Sequence, residues 1–275
     1  MDNTKKEKIE QIIDDMVKSF ANSLEDRHIK EIANPNGAIN RKKNNAFIAE
    51  LNDDFMIYSA LCRSFDSSMG SFFEKLGNKI AALSYEVRGD IVSYILPEQE
   101  TRINEIYNSI SSASNEKEKP SISQYNSFVP IKKGRNNLPN HTHKTDHYFV
   151  KTATEEYFLL ELKAGGDLDS KKAPAEKKEL LTEYFLLKNK LIEENIVPNI
   201  KIYLATAYNM YGEGNEWKQG SVKSSFSDDE LLIGKDYWNF ICDDPDGFDV
   251  VFSQYKKSAK YIDNALEKIK DAYTK

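Results

Sequence analysis

Cysteine is almost absent: Cys62 and Cys242 are the only two in 275 residues. Two distant thiols supply neither a disulfide framework nor a zinc set, so both of those scaffold classes fall away. Long hydrophobic runs are missing as well. None approaches the roughly 20 apolar residues that span a bilayer, and no membrane association is expected. The first stretch, "MDNTKKEKIEQIIDDMVKSF", is charged and amphipathic, without an apolar core or a small-residue cleavage site. It reads as mature protein, with the cytoplasm as the expected location. An excess of basic charge is lacking too. With 38 basic and 44 acidic residues the formal charge is −6. That argues against binding nucleic acid over the whole surface, because neutralising phosphates takes clustered Lys and Arg.

What is present is the composition of a globular chain, 40% hydrophobic and 30% charged, long enough to bury a sizeable core. The first third reads helical: Ile9, Ile12, Ile13, Met16, Val17 and Phe20 recur at three-to-four spacing. The run from Asn45 to Leu96 reads as two or three further helices, interrupted near Ser67–Gly70. Ser109–Ser127 is Ser/Asn/Lys-rich and reads as a linker or mobile loop. The texture then changes. "HYFVKT", "YFLLELK" and "NIKIYLATAYN" read as strands of a buried sheet. "APAEKKELLTEYFLLKNKLIEEN" between the last two is an amphipathic helix with Pro174 near its start, and the tail from Ser253 to Tyr273 is one more helix. The order implies an α/β core behind an N-terminal helical region, with residues 1–115 forming that region and 116–275 the core.

Three of the four histidines fall in "NHTHKTDHYFV", together with Asp146. A zinc site there lacks further ligands, since only His28 and two isolated cysteines remain. If the strand begins near His143, alternation turns His143 and His147 away from Asp146. His141 and His143 then read as phosphate-contacting or simply polar residues. Downstream, alternation puts Glu161 and Lys163 on one strand face and Leu162 on the other. Charged groups ending such an apolar strand need a reason, because burying them unpaired is costly; an ordinary strand-end ion pair would be one. If "TATE" (Thr152–Glu155) is the turn of an antiparallel hairpin, residues whose numbers total 307 face each other. Asp146 then stands opposite Glu161, with Cβ atoms roughly 5 Å apart. Two carboxylates so placed repel unless a cation bridges them, and Mg²⁺ suits carboxylate oxygens, waters and phosphates.

Asp146…Glu161-Leu162-Lys163 resembles the motif of the PD-(D/E)xK nucleases, with Thr145 where proline usually precedes the aspartate. The extension "ELKAGGDLDSKKA" resembles the motif region of type II restriction endonucleases. "SSMGSFFEKLGNKIAAL" resembles the helix that supplies another acid, Glu74 at the matching position. With "NMYGEGNEWKQGSVKSSFSDDELLIGKDYWNFI", the chain resembles the TdeIII/MjaII group. The resemblance implies a restriction-endonuclease-like core, a mixed β-sheet flanked by helices. It also implies Mg²⁺-dependent cleavage of double-stranded DNA to 5′-phosphate ends at a GGNCC-like interrupted palindrome. Asp146 and Glu161 would hold the metal with the Leu162 carbonyl and Glu74 as further ligands, and Lys163 would serve the attacking water. A cognate DNA methyltransferase is the functional partner it implies.

Five basic residues and no acid lie between Lys119 and Thr145. Of these, Lys132, Lys133, Arg135 and Lys144 are DNA-contact candidates, against an equally weighted reading as a solvated loop. Lys171 and Lys172 carry the same pair of readings. Asn215, Lys218, Gln219 and Lys223, in a long polar segment, are candidates for reading bases; a disordered surface loop is the plain alternative. A palindromic target implies a twofold protein, hence a homodimer, with the N-terminal helices as dimerisation candidates. Competing readings are another PD-(D/E)xK nuclease of repair or end-processing type, and a non-catalytic DNA-binding protein.

Overall fold

A computed structural model describes every residue except 38, 39, 42, 43, 52, 113–137, 166 and 275. The chain divides into two compact units, one of residues 1–79 with 249–275, the other of residues 80–248. The division departs from a boundary near 115. Residues 80–111 contribute to the sheet unit, and the C-terminal helices return to the helical one.

In the helical unit, α1 (Asn3–Ala33) starts where the Asp2 side chain accepts from the Lys5 backbone N–H at 2.9 Å, satisfying one of the orphan donors of a first helical turn. Of the stripe that the periodicity predicts, Ile9, Ile13 and Val17 are buried and Ile12, Met16 and Phe20 half-buried, and the buried row continues through Ala21 and Leu24. After the short α2 (Ala46–Ala49), α3 (Asp53–Ala81) runs unbroken through Ser67–Gly70, where the sequence reading expected an interruption. One glycine costs a helix only about 1 kcal/mol, and the rings of Phe65 and Phe72, which pack on Phe20 at 5.9 and 5.0 Å, flank the small residues. The tail is two helices, α8 (Gly247–Ser258) and α9 (Lys260–Thr274), rather than one. Leu24 of α1 meets Ile269 of α9 in a buried cluster.

The sheet unit holds β1 (Glu86–Arg88), β2 (Ile91–Ser93), α4 (Pro97–Ser111), β3 (His141–His143), β4 (His147–Lys151) and β5 (Glu156–Lys163). It continues with α5 (Lys172–Glu193), β6 (Ile200–Thr206), α6 (Gly220–Lys223), β7 (Leu231–Ile233) and α7 (Lys235–Cys242). The segment 86–93, read from sequence as helical, is thus extended, and Ser109–Ser111 close α4 rather than open a linker. Five strands form one mixed sheet in the order β1-β4-β5-β6-β7. β1 and β5 flank β4 antiparallel, while β5–β6 and β6–β7 are parallel. The mixed sheet flanked by helices is the expected fold class.

α5 is the crossover between the parallel strands β5 and β6. Its apolar positions Leu180, Leu181, Tyr184, Phe185, Leu187 and Leu191 join Tyr148, Val150, Leu159, Ile202 and Leu204 in the principal core. Each such side chain contributes roughly 1.5–3 kcal/mol by leaving water, so the helix is fixed by packing rather than by propensity. The opposite sheet face is aromatic: Phe149 stacks on Tyr85 at 5.6 Å and Phe158 meets Phe240 edge-on at 5.1 Å. No described helix is long and apolar enough to cross a membrane.

Candidate active site

The β4–β5 hairpin sets the site. Its observed pairs, His147 with Leu160 through Lys151 with Glu156, follow the register in which numbers total 307. Thr152–Glu155 form the turn, and Glu155 takes the left-handed conformation at φ 53°. Asp146 lies one residue before the ladder, and its Oδ2 accepts from the Leu162 backbone N–H at 2.9 Å. Odd-numbered residues of β5 turn toward α5: Tyr157 and Leu159 enter the core beneath that helix, and Glu161 and Lys163 continue the same row. There Lys163 Nζ lies 2.6 Å from Glu161 Oε1 and 2.9 Å from Glu176 Oε1, the latter from the first turns of α5.

Electrostatics in this corner are dominated by carboxylates. Burial, and then the charge of Asp146, push Glu161 up to about 8, although Lys163 pulls the other way. Burial lowers Lys163, but its contacts with Glu161 and Glu176 outweigh that and the net direction is upward. Among the described residues no three His, Cys, Asp or Glu side chains are preassembled around a metal position. Two neighbouring carboxylates with a lysine do fit a hard cation that keeps waters and takes phosphate oxygens, because Mg²⁺ commonly uses one or two protein carboxylates.

Past the end of β5, Gly165 lies against the exposed ring of Tyr208, which would have to swing aside to admit a larger residue there. Beyond it, Asp169 Oδ1 accepts from the backbone N–H groups of Lys171 and Lys172 at 2.9 and 2.8 Å. That cap starts α5 and leaves both lysine side chains exposed. Lys144 is exposed on the loop before Asp146. Lys132, Lys133 and Arg135 lie outside the described residues. Glu74 is half-buried on α3 of the helical unit.

The polar segment 211–230 is ordered, contrary to the plain reading as a disordered loop. Trp217, Val222 and Phe226 are buried. Asn215 donates to the Tyr211 carbonyl at 2.6 Å, Gln219 to the Leu168 carbonyl at 2.8 Å, and Lys223 meets Glu216 at 3.0 Å. Lys218 is exposed.

The histidines divide differently from the sequence expectation. β3 is no continuation of β4; it pairs with β2, Ile91 opposite His143, in a separate two-stranded sheet. His143 therefore meets α5, with Nε2 at 2.9 Å from Glu179 and Nδ1 at 3.2 Å from Glu183. Glu183 is 2% exposed and lies within the field of Asp146. His147 is a core residue 2.9 Å from the Tyr237 hydroxyl, and burial holds it neutral by lowering it to about 3.

Glu176, Glu179 and Glu183 escaped the sequence reading, although their spacing along α5 puts them on one helix face. A second unread feature is the fully buried ion pair of Lys177 with Glu230. It joins α5 to the turn before β7, and the Lys177 ammonium lies 4.9 Å from the Phe226 ring centre.

A family model described as type II restriction endonuclease, HinfI, matches residues 5–259. The chain belongs to the HinfI family of type II restriction endonucleases. It is therefore a site-specific deoxyribonuclease whose substrate is DNA, and such enzymes in general use divalent metal ions. The matched family is HinfI, where the motif resemblance pointed to the TdeIII/MjaII group; both are type II restriction enzymes, and the PD-(D/E)xK assignment is consistent with the match. No individually curated protein matches the chain.

Proposed function

We propose that this enzyme hydrolyses double-stranded DNA at a short interrupted palindrome, in a Mg²⁺-dependent reaction that leaves 5′-phosphate and 3′-hydroxyl ends. One observation carries the reading: the Asp146 side chain is hydrogen-bonded at 2.9 Å to the backbone of the strand that presents Glu161 and Lys163. Asp146 and Glu161 would hold the cation, with the Leu162 carbonyl and Glu74 as further candidate ligands. A bound cation supplies charge neutralisation at the phosphate and a more acidic water. Lys163 holds the attacking water in line with the leaving 3′ oxygen and offsets negative charge as it develops. Lys144, Lys171 and Lys172 contact flanking phosphates, as do Lys132, Lys133 and Arg135. Asn215, Lys218, Gln219 and Lys223 are the candidates for base-edge contacts, the first, third and fourth by exchanging their internal partners for bases.

A palindromic target matches a homodimer, with the N-terminal helices as its candidate interface and a cognate methyltransferase protecting host DNA in the cytoplasm. The GGNCC-like target belongs to the TdeIII/MjaII resemblance and is the first sequence to test. Plasmid digestion over a Mg²⁺ titration should give discrete fragments, whose sequenced ends define the site and the cut position. Asp146→Ala and Glu161→Ala should each abolish cutting while DNA binding, read by mobility shift, persists. Folded variants that cut at the normal rate would remove Asp146 and Glu161 from the site. No fragments at any metal concentration would defeat the Mg²⁺-dependent reading.

A further inference from the structure

Lys163 has two carboxylate partners, and only one of them is a proposed cation ligand. Glu161 cannot neutralise the ammonium group and give its oxygens fully to a divalent cation at the same time. When a cation arrives, Lys163 loses that partner and meets a second positive charge a few ångströms away. Without another anchor, the ammonium would swing toward solvent and leave the position from which it serves the water. Glu176 supplies the anchor at 2.9 Å, from a helix rather than from the strand.

The surroundings fix Glu176 in place. The start of α5 is capped by Asp169. The neighbouring Ala173 and Pro174 are buried, and the next residue, Lys177, is locked in the fully buried pair with Glu230. That pair prevents α5 from turning about its axis, so the Glu176 carboxylate keeps facing β5. We propose that Glu176 is a positioning residue that holds the Lys163 ammonium in its working place once a cation occupies Glu161. The inference rests on the reading of Glu161 as a cation ligand and Lys163 as the catalytic lysine.

The test combines cation binding and cleavage in wild type, Glu176→Ala, Glu176→Gln, Lys163→Ala, Glu161→Ala and the Lys163→Ala/Glu176→Ala double variant. Mn²⁺ affinity of the full chain is measured by calorimetry without DNA, at a pH above the Glu161 transition, after circular dichroism has verified folding. Single-turnover cleavage is measured at saturating Mg²⁺. Residues that orient an active-site group typically cost about 10- to 100-fold when removed, and that loss in cleavage is expected for Glu176→Ala. Glu176→Gln keeps an acceptor for Lys163 and should recover part of it. Because Glu176 acts through Lys163, adding Glu176→Ala to Lys163→Ala should change Mn²⁺ affinity by less than about threefold, a non-additive pair.

Wild-type cleavage by Glu176→Ala would overturn the proposal. An equal loss of Mn²⁺ affinity with and without Lys163 would also overturn it, since Glu176 would then be a ligand itself. If Glu161→Ala binds Mn²⁺ as wild type does, the underlying site reading fails instead. A loss in Glu161→Ala together with additive Glu176 effects defeats the positioning role alone.

Discussion

Lowering the pH should weaken cation binding through one identifiable proton. Glu161 is pushed up to about 8, first by burial and then by the nearby charge of Asp146. Below that value the metal-free site holds a proton on Glu161, and a cation that uses both carboxylates must displace it. Each pH unit below about 8 therefore costs about tenfold in apparent affinity, and the dependence levels off above it. Between about pH 6 and pH 8 the predicted change is on the order of 100-fold. Calorimetric titration of the metal-free protein with Mn²⁺, in buffers of different ionisation enthalpy, reads both affinity and proton release. Nearly one proton should be released per cation at about pH 6.5, falling toward none above about pH 9. In Glu161→Gln the pH dependence should vanish along with most of the affinity. A flat profile with no proton release in wild type would refute the reasoning, because Glu161 would then be ionised already or take no part. The same shift has a sign for the metal-free fold. Since the folded value lies above the ordinary 4.5, the folded state holds the proton longer, and stability declines as pH rises from about 4.5 through about 8.

Lys177→Ala should cost about 3–5 kcal/mol in urea unfolding, because Glu230 would remain buried without its partner, whereas Lys177→Met with Glu230→Leu should be near neutral. A small loss in the single variant would show that Glu230 tolerates isolation. His143 is raised to about 9 by its contact with the Glu183 carboxylate, against burial and with help from Glu179. Its stabilising contribution is complete below about pH 6.5 and is lost as pH rises through about 9. Its ceiling is about 3 kcal/mol, reduced to about 1–2 because Glu179 is half exposed. Unfolding of wild type and His143→Gln at the two ends of that range measures it, and a constant difference would exclude the ion pair as its source. Gly165→Ala should push the exposed Tyr208 ring aside and change stability by no more than about 0.5 kcal/mol; a larger loss in urea unfolding would show that the ring is held in place.

The local facts were legible along the chain. Alternation in "YFLLELK" put Glu161 and Lys163 on one face, because the side-chain period of a strand is two. The spacing of Asp146 from Glu161 about a central turn pointed to the hairpin register, in which a slip of one would have set residues of the α5-facing row opposite residues of the aromatic face. The stripe in α1 announced a packed helix for the corresponding reason at period 3.6. Residues 86–93 were misread because short apolar runs look alike in helix and strand until a partner strand pairs with them. Tertiary structure decided the rest. It brought Glu176 to Lys163 across a loop and a helix, set His143 on α5 by pairing β3 with β2, and joined Lys177 to Glu230 over 53 residues. Such contacts depend on which elements pack together. Periodicity within one element determines which way a side chain faces, and only the packing of another element determines what it meets.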